Sequence, residues 1–172
     1  MGQEVVYLGL GSNIGDKVDN CLRALNGIDA SSHTHIRALS SLYKTEPVGY
    51  RDQDWFINAV VEVITTLAPQ FLHEFLQGME KQMGRTKTWK MGPRVIDLDI
   101  LFYGTTILEA KDLIIPHPHL HERGFVLVPL AEIAPDLFHP VLKKTVSELL
   151  NTSGKEGVEL YAAVPNMMEV LP

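Results

Sequence analysis

The chain has 172 residues, 45% of them hydrophobic, which suits one core-bearing domain covering residues 1–172. With 15 Lys and Arg against 21 Asp and Glu, the formal net charge of -6 opposes broad attraction to nucleic acid or an anionic membrane, so any phosphate site must be local. One cysteine, Cys21, excludes an intrachain disulfide framework and a multi-cysteine zinc site, and its helical spacing assigns it to the core.

The N-terminus carries no basic region followed by a long apolar stretch, and no apolar run is long enough to span a bilayer, which predicts a cytoplasmic location. Residues 5–10 are apolar and β-branched and stop at Gly11-Ser12-Asn13, the pattern of a buried strand entering a turn. Val18, Cys21, Leu22, Leu25 and Ile28 then recur at helical spacing, with Ser12 or Asn13 available as the N-cap and Gly27 weakening the far end. Strands are predicted over 36–44 and 56–64, separated by a turn-rich loop containing Pro47, Gly49 and Asp52. In the second strand Ile57, Ala59, Val61 and Val63 share one face, while Phe56 and Asn58 share the other.

Pro69 opens a second helix whose apolar stripe is Leu72, Phe75, Leu76, Met79 and Met83, with Gln77 and Glu80 beside it. A strand follows over 95–103. Residues 5–103 therefore read β-α-β-β-α-β, predicting an α+β, ferredoxin-like core with an antiparallel sheet and helices on one face. The C-terminal part adds a hairpin over 104–115, short helices over 125–133 and 145–150, and a weak strand over 158–164.

Asp97 and Asp99 are one residue apart in an apolar strand, so both carboxylates leave the same face, roughly 6.6 Å apart along the backbone. An arbitrary Asp-x-Asp more often just faces solvent. Here the neighbours are Ile96, Leu98, Ile100 and Leu101; aspartate is disfavoured in strands and like charges repel, so the pair calls for a cation. Two hard oxygen ligands suit magnesium completed by phosphate and water, and two ions can be bridged there. Residues 81–94 hold Lys81, Arg85, Lys87, Lys90 and Arg94 with no acid; alone this is a solvated surface, but beside paired metal ligands it reads as a loop that closes over a polyphosphate.

Gly9-Leu10-Gly11-Ser12-Asn13-Ile14-Gly15 has the wrong spacing for a dinucleotide fingerprint, and no P-loop occurs, so the stretch reads as a tight turn. His117, His119 and His121 alternate, but the intervening prolines and the lack of further ligands favour surface or phosphate-contacting histidines over zinc. Phe56 and Phe125, taken singly, are core candidates.

Together these segments resemble the 6-hydroxymethyl-7,8-dihydropterin pyrophosphokinases of folate biosynthesis, over nearly the whole chain. The resemblance rests on Leu10-Gly11-Ser12-Asn13, on Tyr43 through Gly49, on Asp52 through Asn58, on Gly92-Pro93-Arg94 through Asp99, and on Pro116-His117-Pro118 through Arg123-Gly124-Phe125. It implies transfer of the β,γ-pyrophosphoryl group of ATP to the hydroxymethyl oxygen of the dihydropterin, releasing AMP, with two magnesium ions held by Asp97 and Asp99. It further implies that Gln77, Glu80, Arg85, Lys87, Arg94, Ile100, His117 and Arg123 surround ATP, and that Thr45, Val48, Phe56, Asn58 and Phe125 line the pterin pocket. Arg85 and Arg94 are expected to stabilise the moving charge. One departure is Met91, where many relatives carry an aromatic residue, with Trp89 two positions earlier.

The competing readings are a non-catalytic ferredoxin-like binding module and an ordinary kinase that moves only the γ-phosphoryl group. The acidic balance opposes an RNA-binding module. Geometry read from sequence alone does not separate the two transfers; the resemblance does. A monomer is expected, because neither a coiled coil nor an appended domain is evident.

Overall fold

A computed structural model describes residues 2–86 and 89–163. In chain order the elements are β1 (Glu4–Ser12), α1 (Lys17–Asp29), β2 (Thr34–Leu39), β3 (Leu42–Thr45), β4 (Phe56–Thr65), α2 (Pro69–Gln82) and β5 (Asp97–Tyr103). There follow β6 (Leu108–Glu109), β7 (Ile114–Ile115), α3 (Gly124–Ile133), β8 (Phe138–His139), β9 (Lys144–Thr145), α4 (Val146–Ser153) and β10 (Val158–Ala162). The main sheet is antiparallel in the order β10-β3-β4-β1-β5, with β2 also pairing β4. This is the expected ferredoxin-like core extended by one edge strand, and β6 and β7 form the expected hairpin.

Side-chain alternation in β1, β4 and β5 gives the sheet two apolar faces. Val6, Leu8 and Leu10 join Val61, Val63, Leu98 and Ile100 against Cys21, Leu25 and Ile28 of α1 and Leu72 and Leu76 of α2. Leu25 is fully buried, so its truncation to alanine would cost about 2–5 kcal/mol. The helices approach closely at Gly27, where an added Cβ would lie 2.7 Å from the Met79 methyl.

The two helices of the core thus lie on one face, as expected, and the C-terminal helices cover the other. Tyr7, Val60, Leu101 and Phe102 form a second cluster with Val126, Leu127 and Leu130 of α3 and Leu149 and Leu150 of α4. The reason lies in α3, whose segment Phe125-Val126-Leu127-Val128 has no polar stripe and must be covered. A polar clamp fixes α3 as well: Glu132 accepts hydrogen bonds from the Ser41 hydroxyl (2.7 Å) and the Tyr43 hydroxyl (2.6 Å).

Two local expectations change. The strand predicted over 36–44 is split at Ser40-Ser41, where the Ser40 hydroxyl accepts the Val60 N–H at 2.9 Å in place of a regular ladder bond. The cap of α1 is Asp16, whose carboxylate accepts the Asp19 N–H at 3.0 Å; neither Ser12 nor Asn13 caps it, because β1 continues through Ser12. For α4, Thr145 and Glu148 form a reciprocal capping box. The last predicted strand reaches Ala162, and Val164 lies outside the described residues.

Candidate functional site

Strand register brings the site together. Gly11 of β1 lies between Asn58 of β4 and Asp97 of β5, and Gly9 lies between Val60 and Asp99. Two glycines on one face leave a trough over β1, with the carboxylates on one side and the Asn58 amide on the other. The stretch 9–15 is therefore not simply a tight turn: Gly9 and Gly11 are strand residues, and the turn begins only after Ser12.

One side of the trough is a largely apolar cleft lined by Gly9, Gly11, Thr45, Val48, Phe56, Asn58, Met91 and Phe125. The Asn58 amide donates to the Thr45 hydroxyl at 2.6 Å, and both residues are buried. An added Cβ on Gly11 would lie 2.5 Å from Asn58 Oδ1, so glycine at this position lets the amide sit against the β1 backbone.

The other side is a polar cleft lined by His73, Gln77, Glu80, Lys81, Arg85, Lys90 and His117. Arg94, Asp97, Asp99 and Arg123 line both clefts and form the seam between them. Arg85 pairs with Glu80 and with Asp97 (2.9 Å), and Arg94 bonds the other Asp97 oxygen at 2.7 Å. Glu80 also accepts the Leu98 N–H at 2.8 Å, which ties α2 to the carboxylate strand. Burial opposes the charge on Arg85, but Asp97 and Glu80 outweigh it and push the guanidinium pKa up. Burial raises the Glu80 carboxyl, with Leu98 and Arg85 acting against the rise.

Asp99 is half-buried, and its carboxylate has no hydrogen-bond or ion-pair partner among the described residues. Burial first, then the Asp97 charge, raises its pKa, with Arg123 and Arg94 partly offsetting the rise. A desolvated carboxylate beside a second carboxylate is what a divalent cation would neutralise, so these residues fit magnesium. Among the described residues there is no cluster of three or more His, Cys, Asp or Glu that could hold a metal ion by themselves.

His117 is held neutral: burial, then Arg123 and His119, lower its pKa to about 4. Its Nδ1 accepts the His119 N–H at 3.1 Å, which leaves Nε2–H as the donor. His119 and His121 stand beside Glu122 instead. Ile100 belongs to neither cleft, because alternation in β5 sends its side chain into the core under the first two helices; any ligand contact from this position would come from its backbone. Lys87 lies outside the described residues.

Two residues for which the sequence predicts no role at the site join the loops around it. Asn13 Nδ2 donates to Gln53 Oε1 (2.9 Å) and to the Asp54 carbonyl (3.0 Å), while Gln53 Nε2 donates to the carbonyls of Tyr50 (2.6 Å) and Met91 (2.8 Å). Glycine and serine around Asn13 signalled a turn, but nothing local in sequence signals partners about forty residues away.

A paired-carboxylate seam between a cationic cleft and an apolar one defines an enzyme that transfers a phosphate-containing group to a small acceptor. The chain belongs to the 7,8-dihydro-6-hydroxymethylpterin-pyrophosphokinase family, whose model matches residues 7–135. The chain is 44% identical over 153 residues to the 2-amino-4-hydroxy-6-hydroxymethyldihydropteridine pyrophosphokinase of Methylorubrum extorquens, covering 89% of this chain and 96% of that one. It is also 43% identical over 148 residues to folic acid synthesis protein FOL1 of Dictyostelium discoideum, covering 86% of this chain but only 22% of that longer protein. The fold matches Plasmodium falciparum HPPK-DHPS in a structure with pteroate at TM-score 0.73 and 17% identity, over 92% of this chain and 46% of that one. No helix among the described residues is long and apolar enough to cross a membrane.

Proposed function

We propose that this chain transfers the β,γ-pyrophosphoryl group of ATP to the hydroxymethyl oxygen of 6-hydroxymethyl-7,8-dihydropterin, giving the pterin diphosphate and AMP for folate biosynthesis. The observation that carries the reading is the seam: Arg94, Asp97, Asp99 and Arg123 face a cationic cleft and a largely apolar cleft at once. Family membership, with relatives at 44% identity over most of the chain, supports the same reaction.

In this reading Gln77, Glu80, Arg85, Arg94, His117 and Arg123 surround the nucleotide, joined by Lys87 from the basic loop and by the backbone of Ile100. Thr45, Val48, Phe56, Asn58 and Phe125 receive the pterin. The aromatic rings cover its faces, and the Asn58 amide with nearby backbone groups matches the donors and acceptors on its edge. Two magnesium ions held by Asp97 and Asp99 would neutralise phosphate charge and orient donor and acceptor.

The chain's own groups do the rest. Arg85 and Arg94 each bond one oxygen of Asp97, so their charge stands beside the carboxylate pair before substrate arrives, and a cation taken up by Asp97 would leave both guanidinium groups to face the phosphates as negative charge shifts. A bond forms between the pterin oxygen and the β-phosphorus, the bond from that phosphorus to the α,β-bridging oxygen breaks, AMP leaves, and the hydroxyl proton passes to solvent. We further propose one pyrophosphokinase domain over residues 1–172, acting as a cytoplasmic monomer. Incubation with ATP, magnesium and the hydroxymethyl dihydropterin tests the reaction. AMP formed with the pterin diphosphate supports it, ADP would indicate an ordinary kinase, and absence of turnover would favour a binding module.

A further inference from the structure

β10 is an edge strand of the main sheet, and the residues that lead into it touch the structure behind both walls of the apolar cleft. Behind one wall, Val158 stands across from Thr45, which on its other side is paired with Phe56 of β4. The Gly157 carbonyl accepts the Glu46 N–H at 2.9 Å, and Glu46 itself lines the cleft. Behind the other wall, the Gly154 carbonyl and the Val158 side chain lie over Gly124, 3.1 Å and 3.6 Å from where a Cβ on that residue would stand. Phe125 follows directly in the chain. Gly157 has a φ of 69°, and a Cβ there would lie 3.3 Å from each of three side-chain carbons of Glu46. Backbone and space therefore both call for glycine where β10 begins.

This segment lies beyond residues 7–135, over which the family model matches, and Gly154, Gly157 and Val158 line neither cleft. Its route to the substrate runs through Glu46, Thr45 and Gly124. We propose that Gly157 is a positioning residue for the acceptor: its carbonyl and its missing side chain set Glu46 and Thr45, and with them the Asn58 amide that meets the edge of the flat heteroaromatic substrate. The inference rests on the pterin reading above and adds to it a segment that touches neither substrate. The Asn58 amide donates to the Thr45 hydroxyl at 2.6 Å, so a displaced Thr45 either carries the amide with it or breaks that bond. Thr45 and Glu46 do not line the cationic cleft, which confines the effect to the acceptor. An edge strand is paired on one side only and yields locally while the core stays folded.

The test is steady-state kinetics on the full chain, with each substrate varied in turn and thermal unfolding recorded for every variant. Gly157→Ala sets a methyl against Glu46 and strains the backbone. It should raise the KM for the pterin by about fivefold or more and leave the KM for ATP within about twofold, the scale of one misplaced hydrogen bond. Adding Glu46→Ala to Gly157→Ala should recover part of that rise, because two of the three carbons crowding the methyl are then gone. Val158→Ala strains no backbone and should raise the pterin KM by about twofold to threefold through the loosened contact on Gly124. Glu156→Ala, an exposed change in the same turn, should leave both constants at their wild-type values. An unchanged pterin KM in folded Gly157→Ala, or an equal rise in both KM values, would overturn the proposal. If Gly157→Ala does not fold, Val158→Ala decides by the same separation of the two constants. Failure of the wild-type chain to use the pterin would instead overturn the underlying reading.

Discussion

Asn13 and Arg94 exchange two hydrogen bonds: the Asn13 N–H donates to the Arg94 carbonyl at 3.0 Å, and Asn13 Oδ1 accepts the Arg94 N–H at 2.8 Å. This pairing fixes the backbone of Arg94 three residues before Asp97, on which its guanidinium is placed. The end of β1 thus sets the position of a cation that lines both clefts.

Asn13→Ala removes one of those bonds together with the two from Nδ2 to Gln53 and Asp54. Because transfer depends on positioning, kcat should fall about tenfold to a hundredfold. Stability should drop by about 1–2 kcal/mol, since the buried Asn13 amide is lost and its half-buried partners Gln53 and Arg94 lose their bonds. Steady-state rates together with chemical denaturation check both effects.

Gly11→Ala should act on the pterin alone. A methyl group 2.5 Å from Asn58 Oδ1 forces the amide to move and breaks its 2.6 Å bond to Thr45. The KM for the pterin should rise about tenfold while the KM for ATP stays within about twofold, as the loss of an edge hydrogen bond implies. Isothermal titration with each substrate reports the same separation.

Much of this site was legible in sequence, and the misses share a cause. Periodicity located β4, α2 and β5, and alternation alone put Asp97 and Asp99 on one face and Asn58 with Phe56 on another. The same rule, applied to Ile100, already excludes its side chain from that face. Non-local pairing stayed hidden: the Asn13 bonds to Gln53 and Arg94, the Glu132 clamp on Ser41, and the role of Gly9 and Gly11 as a trough all depend on strand register and loop contacts. The α1 cap was misplaced because Ser12 is a good cap type that the longer β1 had already taken.

His117 should remain neutral in the folded chain at pH 6, and His139 is shifted in the same direction. Burial lowers both, with Arg123 and His119 adding to the effect at His117 and His121 at His139. Since the unfolded chain binds these protons first, their contribution to stability is present above pH ~6.5 and is lost as pH falls toward the His117 value of about 4. Asp99 and Glu80, whose pKa values are raised, act with the opposite sign over an overlapping range, so the histidine effect is a difference measurement. Compared with His117→Asn, the wild type should lose ~1–2 kcal/mol more between pH 6.5 and 4, partial exposure of His117 reducing the full linkage value. Denaturant titrations at both pH values, with ring titration by NMR, decide it.

Cys21 should be inert. Its thiol is fully buried, lies 3.8 Å from the Ile57 carbonyl, and burial pushes its pKa up to about 12. A thiol-reactive chromophore should label essentially none of the native protein in minutes and one site per chain after denaturation. Rapid native labelling would show that α1 opens readily from the sheet.

The most direct test of the central claim is magnesium-dependent AMP formation by Asp97→Asn and Asp99→Asn, each with its thermal unfolding recorded. Asparagine keeps the shape of each side chain and removes the charge that would hold the cation. The account predicts that each variant folds and that its turnover falls by about a hundredfold or more at saturating magnesium. Near-wild-type rates in both folded variants would contradict it.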